Sequence, residues 1–399
     1  MADNNENKVL HVPHLRFPEF SGEWNKYTIN DLATVVGGGT PDTTVKSYWG
    51  GDIQWFTPSE IGKNKYVDFS KRTITRDGLD NSSAKLLPLH TILLSSRATV
   101  GECSIASNEC TTNQGFQSLI AKQCNIDFLY YLIQTKKKDL IRNACGSTFL
   151  EISANEIRKI KVAVPVQNEQ EQIAKLLSLI DERIATQNKI IEKLQSLIKG
   201  LVDELMTVLL KGKLYPFSSF YIKAGEGGTP TTSVVEYYTE GTIPFIKIED
   251  LSCKYLTNNK DFITELGMQK SSAWLIPSKS VIYSNGATIG AISINEYPVC
   301  TKQGILGIVP NTNINVEYLY LLMSSSYFSK EISRIITEGT MKTAYLKDIN
   351  HIKCPLPSMA QQKNITNLTS SIEEKLSIEQ ELLRFLNLQK QYLLHMIFI

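Results

Sequence analysis

The sequence predicts an α+β protein: two tandem-repeated mixed α/β domains separated by two long antiparallel coiled-coil helices, related by a pseudo-two-fold. Three observations carry that prediction. The chain repeats itself imperfectly with a period near 190 residues, in three blocks that keep their order. Each repeat ends in a proline-free stretch whose apolar residues step alternately by four and three. Ahead of each such stretch, short β-branched and apolar runs are punctuated by Gly, Pro, Asn and Ser, as strand-and-turn structure requires.

The repeat comes first because a missed repeat mis-assigns a whole fold. GGTPDTTVKSYWGGDIQWFTPSEI (38–61) returns as GGTPTTSVVEYYTEGTIPFIKIEDL (227–251), with one inserted residue. Residues 74–121 align without gaps on 263–310, with 17 of 48 positions identical, among them Ser82-Ser83-Ala84 with Ser271-Ser272-Ala273. GSTFLEISANEIRKIKVAVP (146–165) then matches GTMKTAYLKDINHIKCPLP (339–357). The domains read as 1–165 and 212–357, followed by long helices over 166–211 and 358–399.

Within the domains, strands are expected at Ile53–Phe56, Thr91–Ser95, Ile243–Ile248 and Ser280–Tyr283. Helices are expected at Ile126–Arg142 and Val316–Ile336, where apolar residues recur at three-to-four spacing.

After Pro165 the apolar seam runs Ile173, Leu177, Ile180, Ile184, Ile191, Leu194, Ile198, Leu201, Leu205 and Val208, with Gln187 filling one slot. That is a heptad pattern over about five repeats, the kind that wraps one helix on another. At 1.5 Å per residue it gives a rod of roughly 65 Å. After Pro357 the frame returns at Ile365, Ile372, Leu376, Leu383, Leu386, Leu393 and Ile397, with Thr369, Glu379 and Lys390 also in seam positions.

Composition bounds the function. Hydrophobic residues make up 42% of the 399 and charged residues 21%, ordinary for a globular protein with two or three cores. No apolar run approaches the roughly 18–20 residues of a membrane span, and MADNNENKVL lacks the pattern of a signal peptide. The seven cysteines are scattered and never spaced CxxC, which favours free thiols and a cytoplasmic setting. Net charge is only +2, with 19 Lys and Arg against 17 Asp and Glu over 1–165, and 13 against 12 over 212–357. Any attraction to a nucleic-acid backbone would have to come from local patches or a partner. Candidate patches are Lys63 with Lys65, Lys71 with Arg72, and Lys136-Lys137-Lys138 with Arg142.

The search for chemistry returns no familiar catalytic motif. There is no GxxxxGK[ST] phosphate loop, no GxGxxG unit between a strand and a helix, no Asn/Asp-Pro-Pro-aromatic motif and no GxSxG. Gly37-Gly38-Gly39 and Gly227-Gly228 lead into Thr-Pro, which reads as a turn. His11, His14, His90, His351 and His395 do not fall at metal-ligand spacings near acids. We expect no catalytic residue and no metal site.

Several segments carry a resemblance. VPHLRFPEFSGEWNKYTINDLA (12–33), the GGTP and WGGDIQWFTPSEI segments, LLSSRATVG, TTNQGF and the helical stretch 164–206 together resemble the specificity subunits of type I restriction-modification enzymes, over nearly the whole chain. The second half departs from that pattern in opening on KGKLYPFSSFYIKAG and in reading SMAQQKNI at its proline segment. The resemblance implies a non-catalytic DNA-binding subunit whose two domains are target-recognition domains. It implies binding of two methyltransferase subunits that use S-adenosylmethionine to methylate adenine. Two added motor–nuclease subunits, using ATP and Mg2+, would complete the restriction complex. The chain itself would bind no cofactor.

Two unlike domains on one frame suit two unlike half-sites held at a fixed separation. Arg or Lys suits guanine, Asn or Gln adenine, and Glu can accept from cytosine. Frame residues repeat (Gly38 and Gly227, Pro41 and Pro230, Gly101 and Gly290, Gln114 and Gln303, Gly115 and Gly304) while polar neighbours differ. Thr57 faces Lys247, Ser59 faces Glu249, Arg97 faces Gly286 and Asn113 faces Lys302. With Lys63, Lys65, Arg72, Thr99, Gln114, Asn285 and Gln303, these are the candidate DNA-contacting residues. Gln114 and Gln303 have a competing structural reading, as partners of buried backbone. A protein-binding adaptor assembled by its coiled coil, and a self-contained modification enzyme, are the alternative functions.

Overall fold

A single helix of 43 residues, Gln167–Leu209, and a second of 39, Met359–Ile397, follow the two halves of the repeat. The computed structural model describes residues 12–146, 150–286, 288–336 and 342–399, so His11 lies outside the described residues. The chain divides into two compact units, residues 1–187 with 382–399, and residues 188–381. Each long helix therefore contributes one half to each unit.

The first unit holds β1 (Asn25–Thr28), β2 (Ala33–Gly37), β3 (Trp49–Phe56), β4 (Tyr66–Val67), β5 (Arg72–Ile74), β6 (Ile92–Leu94), β7 (Cys103–Ala106), β8 (Cys110–Thr112), β9 (Gln117–Ala121) and β10 (Lys161–Val164). They form a five-stranded sheet in the order β2-β9-β6-β7-β4, a three-stranded sheet β5-β3-β8 and a pair β1-β10. Side chains alternate across a strand, and β6 shows what this sheet does with both faces. Ile92 and Leu94 pack with Phe128, Leu129 and Leu132 of the helix Ile126–Thr135, and Leu93 packs oppositely with Phe56, Cys110 and Phe116. The sheet is thus covered by a helix on one side and by the smaller sheet on the other. The helical core continues into Ile173 and Leu177 of the first long helix, Ile397 at the end of the second, and Phe398 just beyond it.

The second unit holds β11 (Leu214–Pro216), β12 (Tyr221–Glu226), β13 (Ile243–Ile246), β14 (Tyr255–Leu256), β15 (Asp261–Ile263), β16 (Val281–Ser284), β17 (Ile292–Asn295), β18 (Cys300–Thr301), β19 (Ile305–Pro310) and β20 (Lys353–Pro355). The sheet orders are β12-β19-β16-β17-β14, β15-β13-β18 and β11-β20, matching the first unit strand for strand. Val281 and Tyr283 face the helical core while Ile282 faces Ile246 and Val299.

Two expected helices are broken. Ile126–Thr135 stops at Lys136 and a new helix runs Lys137–Arg142. Val316–Ser324 stops at Ser325, whose extended backbone and Oγ, accepting from Phe328 N, start Ser326–Ile335. Apolar periodicity survives such a break because the second helix buries its own face.

Within each unit the two long helices run in opposite directions. In the first, Lys390 pairs with Asp181 at 2.7 Å and Leu393 joins the core that holds Ile173 and Leu177. In the second, Val202 and Met206 share a core with Ile365. The expected seam is buried at Ile173, Leu177, Ile180, Ile191, Ile365 and Leu386, and Gln187, Thr369 and Glu379 are buried in it as well. Ile184, Leu194, Ile198, Ile372, Leu376, Leu383 and Leu393 are half-buried. Towards the end of the first long helix the seam needs correcting by one residue. Val202 and Met206 are the buried positions, Leu201 and Leu205 are half-buried, and Val208 is exposed. An α-helix drifts by about 20° per heptad against a strict seven-residue repeat, and here the helix turns towards the core of the second unit.

Candidate nucleic-acid interface

In each unit the loops that leave three strands come together. In the first, Asn113 N donates to Phe56 O at 3.0 Å and Ser96 N to Gly115 O at 2.8 Å, so the segments after β3, β6 and β8 form one rim. In the second, Lys302 N donates to Ile246 O at 3.0 Å and Asn285 N to Gly304 O at 3.0 Å. The repeated glycines close this rim from behind. A Cβ on Gly38 would meet Asn113 O at 2.1 Å and one on Gly227 would meet Thr301 O at 2.1 Å, so the backbones touch where only glycine fits.

The rim gathers most of the polar residues that the repeat comparison selects. Ser59, Arg97, Thr99 and Gln114 are exposed on it in the first unit, as are Glu249, Lys302 and Gln303 in the second. Arg97 is held by Glu151, with Nη2 to Oε2 at 2.7 Å. The half-buried Asn113 turns its Oδ1 back to accept from Gly115 N. Gln114 accepts from the Thr40 hydroxyl, so its side chain braces the GGTP turn. In the second unit Gln303 is held through its backbone N–H, which donates to Thr229 Oγ1 at 3.3 Å. Arg72, on β5 opposite Trp55, lies with its guanidinium 3.6 Å from the centre of the Trp49 ring. Such stacking holds a cation in place while leaving its N–H edge free to donate. At the matching place the second unit has Asp261, which pairs with Lys247 at 2.9 Å. The hydrogen bond that the Lys247 ammonium donates to the Asp261 carboxylate is what chiefly raises the lysine's pKa. One unit thus presents a guanidinium with no ion-pair partner among the described residues where the other presents an ion pair.

Three further candidates are placed elsewhere or already engaged. Asn285 is wholly buried and its Nδ2 donates to Ala344 O at 3.1 Å, so it ties the rim to a neighbouring segment instead of facing outward. The Thr57 hydroxyl donates to Glu60 at 2.6 Å and its N–H to the same carboxylate, which makes it the cap of a short turn. Lys65 is not on the surface with Lys63. Its Nζ lies within 2.7 Å of Asp127 and 2.6 Å of Ser178 Oγ. The exposed Lys63 sits on the segment leading to β4, where the neighbouring Gly62 N–H donates to Ser104 Oγ. In the basic run, Lys137 pairs with Glu102 at 2.5 Å and Lys136 donates to Ile399 O.

Sequence reasoning missed two buried glutamines, Gln170 and Gln362. The first accepts from Asn125 N at 3.0 Å and donates to Pro165 O at 3.0 Å. The second accepts from Asn315 N at 2.7 Å and donates to Asn313 O at 3.0 Å and Pro357 O at 2.9 Å. The SMAQQKNI departure therefore keeps the anchoring side chain.

The model of the family described as "type I restriction modification DNA specificity domain" matches residues 21–196 and again 220–387. The chain belongs to this family. A type I restriction enzyme specificity subunit of Methanocaldococcus jannaschii, MjaIX, is 29% identical over 382 residues, covering 89% of this chain and 88% of that one. The crystal structure of a type I restriction-modification S subunit from M. genitalium superposes with a TM-score of 0.55 at 19% identity, over 97% of this chain and 99% of that one. A chain from a structural study of type I complex assembly and conformational transition gives 0.58 at 14% identity, over 93% and 96%. At those identities the two structures establish the fold. For a DNA specificity protein, the doubled family match accords with two recognition domains, one in each unit.

On the long helices, Leu179, Ile190 and Leu197 stay exposed, as do Leu368, Ile378, Leu382, Phe385, Leu388 and Tyr392. Leu176 packs partly against the first unit's core. No helix of the described residues is long and apolar enough to cross a membrane.

Proposed function

We propose that this specificity protein reads a bipartite duplex DNA target, one half-site per recognition domain, and carries two methyltransferase subunits on its long helices. The supporting observation is the rim built twice on one frame with different polar side chains. The stacked Arg72 stands where the second unit has the Lys247–Asp261 pair. A guanidinium presented edge-on is the donor that guanine O6 and N7 accept. Chemistry belongs to the partners in this reading. Methyltransferase subunits bring S-adenosylmethionine to adenine, and two motor–nuclease subunits, with ATP and Mg2+, would add cleavage, all in the cytoplasm. The apolar residues left exposed on the helices, Phe385 and Leu197 among them, are the surface offered to those subunits. The modest net charge fits a subunit that borrows part of its DNA affinity from partners.

The test is expression with a methyltransferase subunit from the same source in a methylation-free bacterial host, followed by sequencing for N6-methyladenine. Two short half-sites around a fixed unread gap are expected, and replacing residues 227–310 should change one half-site alone. A stable complex that methylates nothing would favour a protein-binding adaptor, and methylation by the isolated chain would favour a self-contained enzyme.

A further inference from the structure

The same strut occurs in both units, built on a Lys-Tyr pair at the edge of the five-stranded sheet. In the first, the Lys65 carbonyl accepts from Ile105 N at 2.7 Å, and in the second the Lys254 carbonyl accepts from Ile294 N at 2.7 Å. Each backbone is thus fixed to its sheet while the side chain reaches away from it. Lys65 Nζ meets Asp127, at the start of the domain helix, and Ser178 Oγ of the first long helix. Lys254 Nζ meets Glu317, at the start of its domain helix, at 3.5 Å and Glu373 of the second long helix at 2.5 Å. Tyr66 and Tyr255 each donate to the domain-helix carboxylate at 2.7 Å. The lysine side chains are 10% and 13% exposed, which is deep for lysine and leaves them little choice of partner.

The two struts differ in their support. Tyr131 donates to Asp181 at 2.6 Å, and Asp181 also pairs with Lys390, so the first domain keeps a second route to both long helices. The second unit has Leu321 where the first has Tyr131, and Ile198 at the place of Lys390. It also has an open cavity of about 780 Å³, lined by Ile198, Leu321, Lys254 and Glu373. Lys254 therefore spans from the sheet to the helix along one wall of that cavity.

We infer that Lys65 and Lys254 are positioning residues which set how each recognition domain is seated on the long helix that follows it, and thereby hold the unread gap of the DNA target to one length. The inference rests on the bipartite reading above. A side chain that fixes the seat should alter which gaps are accepted, while the bases read at the rim stay the same.

The experiment uses the full chain with its methyltransferase subunit and maps methylated sites for Lys254→Met, Glu373→Gln, Lys65→Met and Lys254→Arg. Lys254→Met and Glu373→Gln should keep both half-sites but also methylate sites with a gap one base pair longer or shorter, to about a tenth of the parental level, as expected when a minor seat becomes populated. Lys254→Arg should restore the single gap, and Lys65→Met should broaden it less, because Tyr131, Asp181 and Lys390 remain. A uniform fall in methylation at one unchanged gap, in both Lys254→Met and Glu373→Gln, would overturn the inference, as would altered half-site bases. If Lys254→Met fails to accumulate, Glu373→Gln decides alone by the same criteria. A parental chain giving no bipartite motif would bring down the function reading itself, and this inference with it.

Discussion

A Cβ placed on Gly38 lies inside the contact distance of three atoms of residues 112 and 113, and one on Gly227 inside that of three atoms of Thr301. At Gly38 all three atoms, and at Gly227 two of the three, are within 2.5 Å, and at each glycine two of the three belong to backbone, so neither site can relax cheaply. Gly38→Ala and Gly227→Ala should each cost at least about 1–3 kcal/mol, the usual range for overpacking. Thermal melts would register this as a fall of about 2–4 °C per kcal/mol in a domain of this size. The GGTP motif was legible as a turn, but the reason it needs glycine was not, because the opposing strand lies more than 70 residues away in sequence.

The thiols extend the argument at the same scale. All seven cysteines are free, and Cys145 and Cys253 are exposed while the other five are buried. Burial pushes Cys103, Cys110, Cys124 and Cys354 up to about 12 and Cys300 to about 11, from an ordinary 9.0. A thiol reagent at pH 8 should modify two residues in the folded protein and all seven after denaturation. Because the folded values are raised, the buried thiols leave stability untouched below about pH 9. As pH climbs further the unfolded chain ionises first and stability is lost. A denaturation series from pH 7 to 11 checks the sign.

Among the elements, the start of each long helix rests on one glutamine. Gln362 satisfies Asn315 N and the carbonyls of Asn313 and Pro357, and Asn315 in turn caps the helix Val316–Ser324. Gln362→Ala would leave a buried donor without a partner, at about 1–3 kcal/mol. Hydrogen exchange at residues 313–324 should rise, and exchange in the first unit should not. Exchange rising equally in both units would show that the glutamine is not a local anchor. Periodicity found these helices because an apolar stripe is a property of sequence alone. It missed the breaks at Lys136 and Ser325, where the stripe continues through the kink. It also missed the shift from Leu201 and Leu205 to Val202 and Met206, which depends on which core the helix meets.

At the scale of the whole molecule, the duplication made the fold legible and left the site only half so. Every strand of one unit has its counterpart in the other, so two weak strand patterns reinforced each other. The Lys-Tyr-aliphatic triplet at 65–67 and 254–256 is as much a repeat as GGTP, but Lys65 beside Lys63 reads as part of a basic patch. Burial of Lys65 depends on Ser178, more than a hundred residues on, and no local pattern announces it. Ser59, Arg97, Glu249 and Lys302 stand out in the sequence because they differ on a shared frame, and that difference makes a final test possible. Replacing residues 227–310 with residues 38–121 would put Arg72 and its Trp49 platform into the second frame. Methylome sequencing should then return a target made of two copies of one half-site, at the parental gap. If the second half-site instead stayed as it was, its reading residues would lie outside the exchanged segment, and the rim after β13, β16 and β18 would be the wrong surface.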